Sequence, residues 1–268
     1  MIEDSFYITL LSNSSVSYFP NNTTANFSTK LPKSIKLVGE WVVGIAEFHY
    51  PCTMLNVQEH DNVIYVTKRT KIQEGPVNSQ STTNAAIATV EYKTHIPATT
   101  YDNVDQLLEA INSNQLIKGH ATFRYDKISK LVCITKTGVD VASIKASEKL
   151  SLQLGFEPFA NFLFQRYGKY PVNLYLGLPS QLFIYCDIIE PQIVGDVMTS
   201  LIRIIPLDPT KYIYGAYKMH TFSPPHYLPV LKREFDTIEI DIRTDTGKKI
   251  PFQFGTSCVK LHFKRITL

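Results

Sequence analysis

Hydrophobic and polar residues alternate with period two through the last third of the chain. In 237–243, Ile238, Ile240 and Ile242 fall on one side, with Glu239, Asp241 and Arg243 on the other. That alternation marks a strand with one buried and one wet face. Val259, Leu261 and Phe263 repeat it, with Lys260, His262 and Lys264 outward. Further strands are predicted over 173–176, 182–188, 201–205 and 212–221. The first section is similar: Phe6, Ile8 and Leu10 alternate with Tyr7 and Thr9, and Pro20-Asn21-Asn22 breaks the chain before a strand at 25–31. Residues 41–50 are apolar on both faces except Glu47 and His49, as expected of an interior strand. Residues 63–67 give another.

The pattern changes in the middle. Residues 73–87 are polar, with Gly75-Pro76 and a run of Ser, Thr and Asn, the composition of a mobile loop or linker. Asp102 then precedes Val104, Leu107, Leu108 and Ile111, spaced as the apolar face of a helix, with Asp105 in the first turn. Residues 122–125 and 131–135 read as a hairpin, and Ser147 as the cap of a short helix ended by Gly155. This β-α-β-β-α order predicts a small inserted α+β subdomain. The fold class that results is mainly β: a single jelly-roll β-sandwich divided into a first part (1–72), a linker and insertion (73–168) and a second part (169–268). Eight or more strands and no internal repeat fit two sheets packed face to face.

Composition narrows the function more than the fold. The 268 residues suffice for a large core without disulfides or metal. The 15 Tyr and 15 Phe suit pleated surfaces. A net charge of +3, with no Lys/Arg stripe, argues against a dedicated nucleic-acid-binding domain. Cys52, Cys133, Cys186 and Cys258 lack C-x-x-C spacing, so neither zinc nor a disulfide framework is indicated. No stretch reaches the length of a membrane span, and the acidic start MIEDSFYITLLS does not read as a signal peptide. The sequons at Asn13, Asn21, Asn22 and Asn26 therefore read as turn residues.

Candidate chemistry is sparse. Asp245-Thr246-Gly247 matches the active-site tripeptide of aspartic proteases, but Arg243-Thr244 and Lys248-Lys249 flank it, as in an ordinary hairpin turn. Glu59-His60-Asp61 lacks further ligands at metal-binding spacing. No phosphate loop, dinucleotide fingerprint or serine-esterase elbow is present. The aromatic group Phe156, Phe159, Phe162, Phe164, Tyr167 and Tyr170 has two readings: a packed loop, or an apolar patch that meets another subunit. The prediction is a non-enzyme without cofactor. The rival is a jelly-roll binding module for carbohydrate or a receptor, suggested by the sequons and aromatics.

A resemblance sharpens this. The segment Ile188-Ile189-Glu190-Pro191-Gln192-Ile193-Val194-Gly195-Asp196, then Leu201-Ile202-Arg203 and His226-Tyr227-Leu228-Pro229-Val230, resembles the minor capsid (penton) proteins of Polinton/Maverick elements and adintoviruses, and more distantly virophage pentons. Residues 19–51, Phe235-Asp236-Thr237-Ile238 and Phe252-Gln253-Phe254-Gly255 resemble the same family, and the insertion does so more loosely. The resemblance implies a homopentamer at the fivefold vertices of an icosahedral capsid, beside a separate major capsid protein of double-jelly-roll type. It implies location in the virion after synthesis in the host cytoplasm or nucleus, no specific nucleic acid, and room for a host receptor on the insertion. Its candidate contact residues are Ile189, Glu190, Pro191, Gln192, Gly195 and Asp196, joined by Phe162, Phe164 and Tyr167. Glu190-Pro191 and Gly195-Asp196 read first as corners.

Overall fold

Three strands open the chain: β1 (Ser5–Leu11), β2 (Asn26–Lys36) and β3 (Trp41–Pro51). A middle group follows: β4 (Val63–Lys71), β5 (Ile87–His95), helix α1 (Val104–Ser113), β6 (Ala121–Asp126), β7 (Leu131–Lys136), β8 (Val141–Ala146) and helix α2 (Glu148–Gln153). The return comprises β9 (Gln181–Cys186), β10 (Gln192–Val194), β11 (Val197–Thr199) and β12 (Leu201–Pro206). Then come β13 (Tyr217–Thr221), β14 (Leu228–Pro229), β15 (Glu234–Arg243) and β16 (Cys258–Arg265). This is a computed structural model that describes residues 4–71 and 87–266. The polar stretch 73–86 lies outside the described residues.

The elements divide into two units, Met1–Met54 with Pro179–Leu268, and Leu55–Leu178. In the first, one sheet has the order β1-β16-β3-β13, with β14 also on β3, and the other β12-β9-β15-β2. The long-range pairs are β1 with β16, β2 with β15, β3 with β13 and β9 with β12, all antiparallel. The unit is one long hairpin rolled up, so that its outermost pair closes against β3 and its inner pair against β15. That wrapping is the jelly roll. The core lies between the sheets. Val259, Leu261, Phe263, Val43, Phe48 and Tyr50 face Phe27, Leu182, Ile184, Ile238, Ile240 and Ile242, all essentially inaccessible to water.

Strand β3 explains its own apolar character. Its pairing with β16 shifts between Lys260↔Glu47 and Leu261↔Ile45, leaving Ala46 as an extra residue. A bulge inverts which parity points inward. Trp41, Val43 and Ile45 are buried before it, and Phe48 and Tyr50 after it. The strand is interior, flanked by β16 and β13, but only one face is fully apolar at any point.

The second unit contains the sheet β5-β4-β8, the hairpin β6-β7 and both helices. Leu107, Leu108 and Ile111 of α1 pack with Val66, Phe123 and Val132 in one core. The cap of α1 is Asn103, whose side chain accepts from Gln106 N at 3.0 Å, with Asp105 in the first turn. Strand β4, placed by its pattern in the first section (1–72), instead pairs with β5 and β8. The crossing therefore falls after Met54; strand periodicity carries no information about which sheet a strand joins. Ser147 occupies the N-cap position of α2, but its hydroxyl donates to Asp61 O instead of capping. Residues 173–176 are not a strand. Asn173 accepts from Tyr175 N at 3.0 Å and starts a 3-10 turn over Leu174–Gly177. The strand predicted at 212–221 begins only at Tyr217.

Candidate assembly surfaces

The connection from β9 to β12 carries the segment singled out in the sequence. Ile189 is fully buried and bridges to Val230, so it is a core residue and offers nothing to a neighbour. Glu190 is exposed, and its N–H donates to Pro229 O at 3.0 Å. Pro191 leads into β10, and the Gln192 side chain donates to Leu201 O, which fixes the root of the hairpin. β10 and β11 pair around the two-residue turn Gly195-Asp196, with Gly195 at φ 63. Glycine at the first central position occupies that region without steric cost. The hairpin displays Ile193 (77% exposed), Val197 and Met198. Among the candidate contact residues, Glu190, Pro191, Gly195 and Asp196 are corners, and the apolar residues displayed between and beyond them are not among those candidates. The sequence signal for the hairpin is the Gly195-Asp196 pair flanked by Gln192-Ile193-Val194 and Val197-Met198-Thr199.

In the second unit the aromatic group divides. Phe162 is 1% exposed, packed 4.4 Å from the Phe156 ring and edge-on to Phe123, which removes it from any contact surface. Phe164 is 82% exposed, and Phe159, Tyr167 and Tyr170 also face solvent. The backbone of Tyr167 is held by a bridge to Cys133. Phe159 stands at φ 61, a left-handed conformation costly for a bulky side chain. Phe156 and Phe162 are core residues of the second unit, and Phe159, Phe164, Tyr167 and Tyr170 are exposed.

A depression of about 350 Å³ lies beside the hairpin, lined by Tyr185, Asp187, Val197, Glu239, Asp241 and Arg243. Two of its acids are in ion pairs, Asp241 with Arg243 at 2.7 Å and Asp187 with Lys232, and Glu239 accepts from Asn26 Nδ2 at 3.1 Å. The hydrogen bond from Arg243 to Asp241 raises the guanidinium pKa further. Asp245 is exposed in the hairpin turn closed by Thr244 N–H to Lys248 O at 2.8 Å, with Gly247 at φ 78. A wet, isolated carboxylate lacks the apolar setting in which two acids share a proton. His60 and Lys149 each lie 3.5 Å from Asp61. Among the described residues no group of three or more His, Cys, Asp or Glu could hold a metal ion. No described helix is long and apolar enough to cross a membrane. Burial raises the Cys186 thiol to about 12, so it behaves as a small core hydrophobe.

No family model matches the chain, and no curated protein matches it. Among solved structures, the selenomethionine-labelled mavirus penton protein superposes on 98% of this chain and 100% of its own, with a TM-score of 0.52 and 12% sequence identity. The likeness is one of fold. It extends through both units and supports the mainly β, jelly-roll architecture built up above.

Proposed function

We propose that this chain is a penton: a structural protein that forms a ring of five at the fivefold vertices of an icosahedral capsid. One observation carries the reading, the end-to-end likeness of fold to the mavirus penton protein, insertion included. The sequence resemblance to Polinton/Maverick and adintovirus minor capsid proteins refines it, with a double-jelly-roll major capsid protein filling the rest of the shell and the virion as the location. The surfaces agree with a building block: ordinary ion pairs, moderate charge and apolar side chains displayed on a hairpin. Class averages of the purified chain in negative stain test this directly. Fivefold rings are expected; particles without rotational symmetry would contradict it.

The hairpin is the part of the segment that this reading assigns to neighbours in the shell. Replacing Ile193 and Met198 by Ser is expected to leave the unfolding free energy within about 0.5 kcal/mol, because exposed residues contribute little to folding. It is expected to weaken assembly, measured by light scattering; unchanged assembly would remove the hairpin from the interface.

A second reading draws on the exposed ring of Phe164 and the left-handed Phe159. In it, the loop 156–170 of the insertion binds a host receptor or a glycan. A glycan-array or cell-binding signal lost in Phe164→Ser and Tyr167→Ser would support it, and wild-type protein that binds neither would end it.

A further inference from the structure

The two sheets of the jelly roll treat their edges differently. In the sheet β12-β9-β15-β2, the chain itself closes the β2 edge along Asn26–Lys30 and blunts the two ends of the β12 edge, leaving Ile204 between them without a partner beyond its ladder among the described residues. Ile242 N–H donates to Ala25 O, so the odd residues of β2 face β15 and the even ones face out. Those outward groups are taken. Ser28 N–H donates to Asn22 Oδ1 and Ser28 O accepts from Asn22 Nδ2, both at 2.9 Å. Lys30 N–H donates to Ser15 Oγ at 2.9 Å, and Asn26 exchanges hydrogen bonds with Thr23. At the other edge, Leu201 O accepts from Gln192, and Pro206 has no N–H to offer. These are the usual devices that stop a sheet from adding strands.

In the sheet β1-β16-β3-β13 neither edge is closed. Arg265 N–H donates to Asp4 O, and Ser12 N–H to Ser257 O, so the even residues of β1 face β16. Ser5, Tyr7 and Thr9 present their backbone groups outward. In β13, Ala216 O accepts from Cys52 N–H and Phe222 N–H donates to Ala46 O, so the even residues face β3. Tyr217, Met219 and Thr221 present theirs outward. None of these six backbones has a hydrogen-bond partner beyond its ladder among the described residues. Each edge also carries exposed apolar side chains on the sheet's outer face, Tyr7 and Leu11 on β1, Tyr217 (59%) and Met219 (62%) on β13.

We propose that the outward edge of β13 in one copy pairs antiparallel with the outward edge of β1 in the next, so that this sheet runs on from subunit to subunit. This deepens the penton reading and rests on it. The occupant follows from strand direction. Successive neighbours in the sheet are antiparallel, so across four strands β1 and β13 run in opposite directions. A second copy related by rotation about an axis along the strands therefore brings its β1 antiparallel to β13. Alternation is preserved at the junction, and the outer faces stay on one side. The interface is head-to-tail, with unlike edges meeting, which is the kind that closes into rings. Three outward residues on each edge match in number, and backbone pairing supplies the affinity, as in other strand additions.

Three measurements test it on the full-length protein. First, hydrogen exchange of wild type: peptides covering β1 and β13 are expected to slow about tenfold or more on assembly, since their outward amides become protected, while β2 peptides stay unchanged. Second, Thr9→Pro and Met219→Pro remove an outward N–H without touching the internal ladder. Each is expected to melt like wild type and to associate roughly three- to tenfold more weakly. Third, Thr9→Cys and Met219→Cys are combined with a bismaleimide, against a wild-type control for the native thiols. The double variant is expected to give a ladder of covalent oligomers, and each single variant none. Dimers from Met219→Cys alone would show like edges meeting and overturn the proposal. Rings by native mass, with β1 and β13 amides exchanging as fast as in dissociated chains, would overturn it and leave the penton reading standing. A wild type that is monomeric under all assembly conditions would overturn both.

Discussion

Gln153 is a fully buried amide whose Nε2 donates to Asn56 O at 2.8 Å and to Leu174 O at 3.0 Å. It ties the segment that opens the second unit to the one that closes it. Gln153→Leu keeps the volume and strands two buried carbonyls, a loss of about 2–3 kcal/mol of stability, readable as a lower urea midpoint. A change under about 0.5 kcal/mol would mean that water reaches those carbonyls. Gly177 abuts the same place: a Cβ there would lie 1.6 Å from Asn56 O. With backbone as the obstacle, Gly177→Ala is expected to cost at least ~3 kcal/mol. None of this is visible in the sequence, where Gln153 reads as a polar residue on a short helix and Gly177 as a loop glycine. The same blindness separates Phe162 from Phe164: two residues apart in one aromatic run, one is core and the other wet.

At the scale of elements, local alternation was legible wherever a single phase lasts, as in β15 and β16. It failed where phase or partner changes. The extra residue at Ala46 made β3 look apolar on both faces, and β4 gave no hint of which unit it joins. The sheet β1-β16-β3-β13 also carries two histidines held below their ordinary value of 6.5. Burial, then Lys218, lowers His220; burial, then Lys264, lowers His262. His220 stacks parallel to Tyr50 and Phe222, and His262 hydrogen-bonds Tyr227 Oη at 2.7 Å. The folded state prefers both neutral, while the unfolded chain takes up protons near 6.5. Their contribution is therefore fully present above that value and is lost as pH falls through it toward the lower folded-state values. The urea midpoint is expected to drop between about pH 7.5 and 5.5, and less so in His220→Phe/His262→Phe. An identical drop in that variant would put the effect elsewhere. The carboxylates add a separate, more acid window. Hydrogen bonding to Lys260 lowers Glu47 and hydrogen bonding to Lys30 lowers Asp236, so their stabilisation goes only as pH falls through the carboxylate range.

The whole molecule is a jelly roll that interrupts itself between its third and fourth strands to fold a second unit with its own core. The two-sheet architecture and the insertion could be read from strand spacing and from the helix face at Leu107, Leu108 and Ile111. The rolled-up pairing of first strand with last could not, because it joins residues such as Tyr7 and His262 across the whole length of the chain. The assembly surfaces were legible only in part. A resemblance pointed to residues 188–196, yet the apolar tip at Ile193 and the open backbones of β1 and β13 emerge only once the strands are paired.

The proposal of a five-membered ring is put to its most direct test by native mass spectrometry of the purified chain. It predicts a dominant species containing five copies of the 30.4 kDa chain. A chain that remains monomeric, or stops at a dimer, across the accessible range of concentration and salt would contradict it.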